Sequence, residues 1–228
     1  MNLKILSLVI IGVCILLPDV CYAFLSKDVH LLNMQNGLAD NTVSAVYKDK
    51  EGFIWFGTRN GLSRYDGRRI TNFERSRSYP SISNLKEVFD GVLAFVDNGV
   101  FSAFDLKKER FLSVVSSSGQ GIPSRGMLQR NDSLVWVISG SELHLMKRCA
   151  SKEGELRLRV QEKYTGWNNQ DNLLVAITYS SDKKSICLID EKGRIILLDA
   201  TNLNSFRVID LGRTGSLSVN CLLYTSDA

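Results

Sequence analysis

The residues able to do chemistry in this chain are few and scattered. The only histidines, His30 and His144, do not stand at a spacing typical of zinc ligands. Asp49-Lys50-Glu51-Gly52 superficially suggests a calcium loop, but the remaining ligands and the distal Glu are missing, so a β-turn is favoured. His144 alternates with Leu143 and Leu145, which favours a surface position on a strand. The sequence therefore predicts no catalytic residue, no bound metal and no cofactor.

A set of loop residues is better suited to binding than to catalysis. The segment around Trp167 combines an aromatic plane, able to stack on the apolar face of a sugar, with amides that pair with hydroxyls. The residues that we predict to share one ligand-binding face are Trp167, Asn168, Asn169, Tyr79, Arg77, Arg59 and Asn60. The alternative is a tryptophan folded back on the edge of the core, with amides that only stabilise a turn.

The elements that must position these residues are clearest in residues 37–73. Residues 53–56, Phe-Ile-Trp-Phe, form an apolar run too short for a helix, which predicts a strand buried on both faces. Residues 59–61 carry the Asn-Gly hairpin signal, and residues 62–65 and 70–73 alternate apolar and polar side chains. A meander of four antiparallel strands with a covered inner strand describes one blade of a β-propeller.

The same pattern recurs with a period of about 40 residues, which is propeller spacing. Trp136 takes the place of Trp55 in the third unit, and we expect both indoles to lie in the core between blades. The predicted fold is all-β: a β-propeller with about four four-stranded blades of an incomplete ring, over residues 24–220. We expect the blades at about 37–73, 84–115, 126–160 and 173–211, with the start of a fifth at 215.

Three runs within residues 37–73, G-L-A-D-N-T-V, D-K-E-G-F-I-W-F-G-T and N-G-L-S-R-Y-D, closely resemble the two-component regulator propeller repeat. That repeat fills the periplasmic sensor region of bacterial hybrid two-component regulators, many of which control glycan-utilisation genes. The resemblance implies a larger ring, commonly of seven blades. It therefore predicts that this chain is an N-terminal fragment, with a membrane span, histidine kinase, receiver and DNA-binding domain beyond Ala228.

The resemblance also implies partners. We expect a small-molecule or oligosaccharide ligand and a homodimer of the full-length protein. Membrane anchoring would come only through the missing downstream segment, and this fragment would bind no nucleic acid. The modest formal charge of +4, from 28 basic and 24 acidic residues, agrees with that last expectation. The alternatives are a secreted propeller enzyme that acts on polysaccharides and a plain protein-interaction propeller.

Residues 1–23 are interpreted as a secretory signal peptide. Lys4 supplies the positive charge, residues 5–17 form an apolar stretch, and Cys21-Tyr22-Ala23 suits a cleavage site before Phe24. The alternative is an uncleaved anchor helix, although the apolar stretch is short for spanning a bilayer. A cleaved signal peptide predicts that the remaining chain is exported and forms a periplasmic sensor region.

The other end of the chain and the cysteines carry two further expectations. Residues 221–228 resemble the product of a sequencing adapter read in frame, so we interpret them as a non-native tail. Cleavage would leave Cys149, Cys187 and Cys221, an odd number, and we expect no bridge between the first two.

Overall fold

The computed structural model describes residues 31–74, 81–167 and 172–210. The chain divides into residues 1–32, of which only Leu31 and Leu32 are described, and residues 33–228, whose fold follows. The signal peptide, the start of a fifth blade and the non-native tail were all predicted for stretches outside the described residues. Within the described ranges, no helix has the length and apolar character needed to cross a membrane.

The described elements are a short 3-10 turn, Met34–Asn36, and a series of strands. The strands are β1 Val43–Lys48, β2 Ile54–Thr58, β3 Gly61–Tyr65, β4 Ile70–Glu74, β5 Ile82–Phe89, β6 Val92–Asp97, β7 Val100–Asp105, β8 Arg110–Ser116, β9 Gly126–Asn131, β10 Leu134–Ser139, β11 Glu142–Cys149, β12 Glu155–Tyr164, β13 Leu174–Tyr179, β14 Ser185–Asp190, β15 Ile195–Asp199 and β16 Phe206–Ile209. The predicted all-β class is confirmed.

The strands form antiparallel meanders in chain order. We call them blade 1 (β1–β4), blade 2 (β5–β8), blade 3 (β9–β12) and blade 4 (β13–β16). The first strand of each blade lies beside the first strand of the next, so β1, β5, β9 and β13 form the inner edge. This is the arrangement of a β-propeller, in which each blade buries its faces against its neighbours.

Blades 2 and 3 are joined at their outer edges. Strand β8 pairs in parallel with the first half of β12, in a register that sets Ser113 opposite Glu155 and Ser116 opposite Leu158. The two blades therefore form one eight-stranded sheet. Just before β12, the Glu153 carboxylate also binds Lys108 at 2.9 Å and Arg110 at 3.0 Å. The repeat pattern, which treats each blade separately, does not predict this pairing.

Three apolar clusters fill the spaces between successive blades. Trp55 and Phe104 lie in the cluster between blades 1 and 2, and Met127 lies between blades 2 and 3. Trp136 and Leu188 belong to the cluster between blades 3 and 4. Both tryptophans are only 1% exposed, which confirms the prediction that they are core residues.

Two expectations about burial were wrong. Strand β2 was expected to be buried on both faces, but Ile54 and Phe56 are half-buried, because no described blade covers that face of blade 1. His144 was expected on the surface and is 8% exposed. Strand β11 contributes to the clusters on both sides of blade 3, so alternation along it does not mark a solvent-facing side.

Candidate functional site

A concave surface lies at the end of blade 1 that carries the β2–β3 hairpin. The hairpin turn is Arg59–Asn60, and the register of β3 with β4 sets Glu74 opposite Gly61. A segment that precedes β1, residues 33–42, crosses the same end, and we call it the N-terminal loop. The strand register thus brings together residues that are separated in sequence.

Three polar side chains of blade 1 hold the N-terminal loop in place. The Asn60 amide donates to the Ala39 carbonyl at 3.0 Å, and the Asn72 amide donates to the Gly37 carbonyl at 2.8 Å. The Ser63 hydroxyl accepts from the Ala39 N–H at 3.2 Å and donates to Asn72 Oδ1 at 2.7 Å. The loop is therefore a fixed wall of the surface.

The N-terminal loop also satisfies its own backbone. Asn33 accepts from the Asn36 N–H at 3.1 Å, and Asn41 accepts from the Met34 N–H at 2.8 Å. Gly37 ends the 3-10 turn with φ of 99°, a left-handed conformation that favours glycine. The buried Leu38 side chain anchors the loop to the blade.

Between this wall and the hairpin lies an open cavity of about 420 Å³. Its lining residues are Met34, Gly37, Leu38, Ala39, Asn60, Asn72 and Glu74. Glu74 is the one ionisable side chain in that set. Its carboxylate is exposed and makes no hydrogen bond or ion pair with the described residues. The cavity is thus mostly polar, with a single negative charge.

Two glycines of the sequence motif are required by close packing beside this surface. A Cβ on Gly61 would lie 2.4 Å from the Phe73 carbonyl oxygen, and Gly61 has φ of 121°. A Cβ on Gly57 would lie 2.5 Å from Cγ2 of Ile82, on the inner strand of blade 2. The motif glycines therefore allow the tight hairpin and the approach of the next blade.

Of the predicted binding residues, the structure places Asn60 in the cavity lining and Arg59 beside it, exposed on the same hairpin. Arg77, Tyr79, Asn168 and Asn169 lie outside the described residues. Sequence reasoning missed Glu74 and the wall function of the N-terminal loop. No local signal marks them, because they meet Asn60 only through the strand register.

Trp167 lies within the apolar cluster between blades 3 and 4 and is 6% exposed. Its ring packs edge-on against Phe206, with centroids 6.5 Å apart and planes at 82°. The ring faces are therefore not open for stacking on a sugar, and the position agrees with the alternative of a tryptophan folded onto the core. A binding role for the amides that follow it stays a prediction.

One histidine–carboxylate pair lies in blade 3. His144 Nε2 is 2.6 Å from Glu142 Oε2, and Lys163 Nζ is 3.6 Å from the same oxygen. The hydrogen bond to His144 and the charge of Lys163 hold the pKa of Glu142 below its usual range. Because His144 is nearly buried, the pair has little access to a substrate.

Within the described ranges, no group of three or more His, Cys, Asp and Glu side chains is arranged to hold a metal ion. Cys149 and Cys187 are both free thiols, which agrees with the expectation that they form no bridge.

Comparison with known proteins identifies the repeat of blade 1. Residues 37–60 match the family described as two component regulator propeller, which confirms the resemblance drawn from the sequence motifs. A search of curated proteins gave no significant match.

Several solved structures share the fold. The extracellular domain of BT4673 from B. thetaiotaomicron, described as a one component system, aligns with a TM-score of 0.58 and 15% identity, over 79% of this chain and 27% of that one. The β-propeller domain of Cps50 (Swd1) from Myceliophteria thermophila aligns with a TM-score of 0.52 and 16% identity, over 76% and 57%. The WD40 β-propeller domain of Doa1 aligns with a TM-score of 0.52 and 11% identity, over 75% and 54%.

This chain spans about a quarter of the length of the BT4673 domain and less than two thirds of each of the other two. At these identities the likeness shows the fold alone. The confirmed repeat and the confirmed fold agree with each other: the chain is a β-propeller that carries a two-component regulator propeller repeat at residues 37–60.

Proposed function

We propose that this chain is the ligand-sensing propeller of a hybrid two-component regulator. It responds to a small molecule or oligosaccharide, most simply a glycan, and controls transcription through kinase and DNA-binding domains that lie downstream. The propeller itself is not an enzyme, and the parent protein is a histidine kinase. As in the sequence-based expectation, the parent acts as a homodimer anchored in the membrane by a downstream segment.

One observation carries the proposal: the matched repeat supplies four of the seven residues that line the cavity. Gly37, Leu38, Ala39 and Asn60 line it and all fall within the matched residues. Asn60 itself donates one of the hydrogen bonds that hold the N-terminal loop, to the Ala39 carbonyl. A preorganised polar cavity at the loop end of a propeller suits a small hydroxyl-rich ligand.

The proposed location is the periplasm. Two observations support it: the apolar stretch at residues 5–17, interpreted as a signal peptide, and the likeness of the fold to the extracellular domain of BT4673. N-terminal sequencing of exported protein tests it, and a mature chain that begins at Met1 contradicts cleavage before Phe24.

The binding function is tested on a glycan array with the 228-residue chain and two matched asparagine variants. Asn60→Ala removes the hydrogen bond to the Ala39 carbonyl and a lining side chain, so we expect at least about a tenfold loss of binding to any glycan captured. Asn204→Ala changes an exposed asparagine of blade 4 and should bind as the parent does. Equal binding by all three proteins contradicts a site at blade 1.

The regulatory function is tested by the complete reading frame. A histidine kinase domain downstream of the propeller supports the sensor, whereas a stop soon after the last blade favours the alternatives. Release of oligosaccharide products from a polysaccharide by the purified chain would contradict the non-enzymatic assignment.

A further inference from the structure

The cavity of blade 1 offers a ligand more hydrogen-bond acceptors than donors. The backbone N–H groups of the N-terminal loop residues that line the cavity all have acceptors within the protein. Those of Met34, Gly37, Leu38 and Ala39 donate to acceptors within the N-terminal loop or to Ser63. The backbone of these four residues therefore has carbonyl acceptors but no free N–H donor for a ligand.

The side chains of the lining add to this imbalance. The Asn60 and Asn72 amides each spend one N–H on a loop carbonyl, which leaves one further N–H on each. The acceptors that remain are Asn60 Oδ1 and both oxygens of the Glu74 carboxylate. The lining holds no described cation to neutralise that carboxylate.

The apolar part of the lining is small. Met34, which is 53% exposed, and the buried Leu38 both line the cavity. A flexible thioether can pack against the C–H face of a sugar ring. A single sugar unit also suits a volume of about 420 Å³.

We infer that this cavity is a subsite for a sugar unit that carries an amino group, with the ammonium paired to Glu74 and the hydroxyls donating to Asn60 Oδ1 and the loop carbonyls. The inference rests on the proposed glycan-sensing function and adds the class of glycan. The negative charge of Glu74 also disfavours a sugar acid, because the carboxylate of the sugar would face the carboxylate of Glu74.

The test uses methionine methyl NMR on the full 228-residue chain, with D-glucosamine, D-glucose and D-glucuronate as probes at mildly acidic pH. Met34 lines the cavity, whereas Met127 and Met146 are buried between blades 2 and 3 and serve as internal references. Met34→Leu assigns the signal. We expect D-glucosamine to shift the Met34 methyl and to leave the Met127 and Met146 methyls unchanged.

The charge is tested with Glu74→Gln, which keeps the shape of the side chain. We expect the apparent affinity for D-glucosamine to fall about tenfold and to approach that for D-glucose. Glu51→Gln is the matched control, since Glu51 is an exposed glutamate in the turn between β1 and β2, outside the cavity lining. D-glucuronate should leave Met34 unchanged in the parent protein.

The outcomes separate this inference from the proposed function. Binding of the three probes with equal affinity, or an unchanged preference in Glu74→Gln, overturns the inference while leaving a sugar site in place. A Met34 methyl that no probe shifts overturns it as well. If the glycan array also shows no binding, the proposed function fails with it.

Discussion

Blades 1 and 3 each bury a tryptophan in their second strand, but the two indole N–H groups have different hydrogen-bond partners. Trp55 and Trp136 are both 1% exposed and both lie in the second strand of their blade. The Trp55 indole N–H donates to the Asp49 carboxylate at 2.7 Å. The Tyr179 hydroxyl interacts with the Trp136 indole, but the indole N–H makes no hydrogen bond in acceptable geometry with any described residue.

The difference begins in the turn before the tryptophan strand. In blade 1 the turn is long enough for Asp49 to fold over it, accepting from the Glu51 and Phe53 N–H groups as well as from Trp55. In blade 3 the turn is tighter, and the Asn131 side chain is occupied by Ser133. The longer turn of blade 1 therefore lets one aspartate bind both the turn backbone and the indole of a core tryptophan.

In both blade 1 and blade 3 an arginine lies over the tryptophan ring, but only the arginine of blade 1 also contacts a second aromatic ring and a carboxylate. The Arg64 guanidinium lies 5.6 Å from the Trp55 ring and 4.9 Å from the Phe53 ring, and it binds Glu109 of blade 2 at 2.6 Å. Arg130 lies 5.1 Å from the Trp136 ring. Trp55 and Trp136 are thus equally buried, but Trp55 has more polar contacts around it. We therefore expect matched substitutions in the two blades to lower the free energy of unfolding by different amounts.

The largest expected difference is at the turns. Asp49→Ala removes an acceptor for three donors, two of them backbone groups and one the buried indole, so we expect the free energy of unfolding to fall by about 3 kcal/mol. Asn131→Ala, the matched change in blade 3, loses only local bonds to Ser133 and should cost about 1 kcal/mol. Denaturant midpoints measured at constant slope decide this, and equal losses would contradict the comparison.

The next difference is at the indoles. Trp55→Phe removes ring volume and the indole donor of Asp49 Oδ2, whereas Trp136→Phe removes ring volume and an N–H that makes no hydrogen bond in acceptable geometry with a described residue. We expect a loss of about 3 kcal/mol for Trp55→Phe and about 1 kcal/mol less for Trp136→Phe. If Trp136→Phe is the more damaging change, the Trp136 indole has a partner that matters to stability.

A smaller difference is expected at the arginines. Arg64→Met and Arg130→Met keep most of the side-chain length and remove the charge over the ring. We expect losses of about 1.5 and about 0.7 kcal/mol, because only Arg64 also pairs with a carboxylate of the next blade. Added salt should narrow the gap by screening the pair with Glu109, and a gap insensitive to salt would assign the difference to packing.

The sequence predicts the blades better than it predicts what supports them. The apolar runs around Trp55 and Trp136 predict two equivalent core tryptophans, and the Asn-Gly pair predicts the hairpin at Asn60, since these signals are local. The bond from Trp55 to Asp49 depends on how a turn folds over a strand, and the sequence predicts only the turn. Similarly, Glu74 enters the cavity through the register of β4, and β8 meets β12 through the packing of two blades.

The last expected difference is spectroscopic and concerns Tyr164, whose ring packs edge-on against Trp136 with centroids 5.9 Å apart. Burial and a hydrogen bond to the Glu162 carboxylate raise the pKa of Tyr164 to about 12 from its ordinary value of 10.0. Because the folded state holds this proton more tightly than the unfolded state, the stabilisation is complete below pH 10.0 and is lost as pH rises to about 12.

The comparison with blade 1 gives this prediction its control. No tyrosine ring is among the described partners that stack on Trp55, where Phe73 and Phe104 fill that role. We therefore expect the Trp136 environment to respond to the ionisation of Tyr164, and the Trp55 environment to respond only to Tyr47, which lies opposite Trp55 and packs against its cluster. Tryptophan fluorescence titrated through this pH window in Trp55→Phe and Trp136→Phe proteins measures each indole against the common background of Trp167.

Glu162→Gln should move the Trp136 transition to lower pH, because the carboxylate no longer holds the phenol proton. A transition that remains in place assigns the raised pKa of Tyr164 to burial alone.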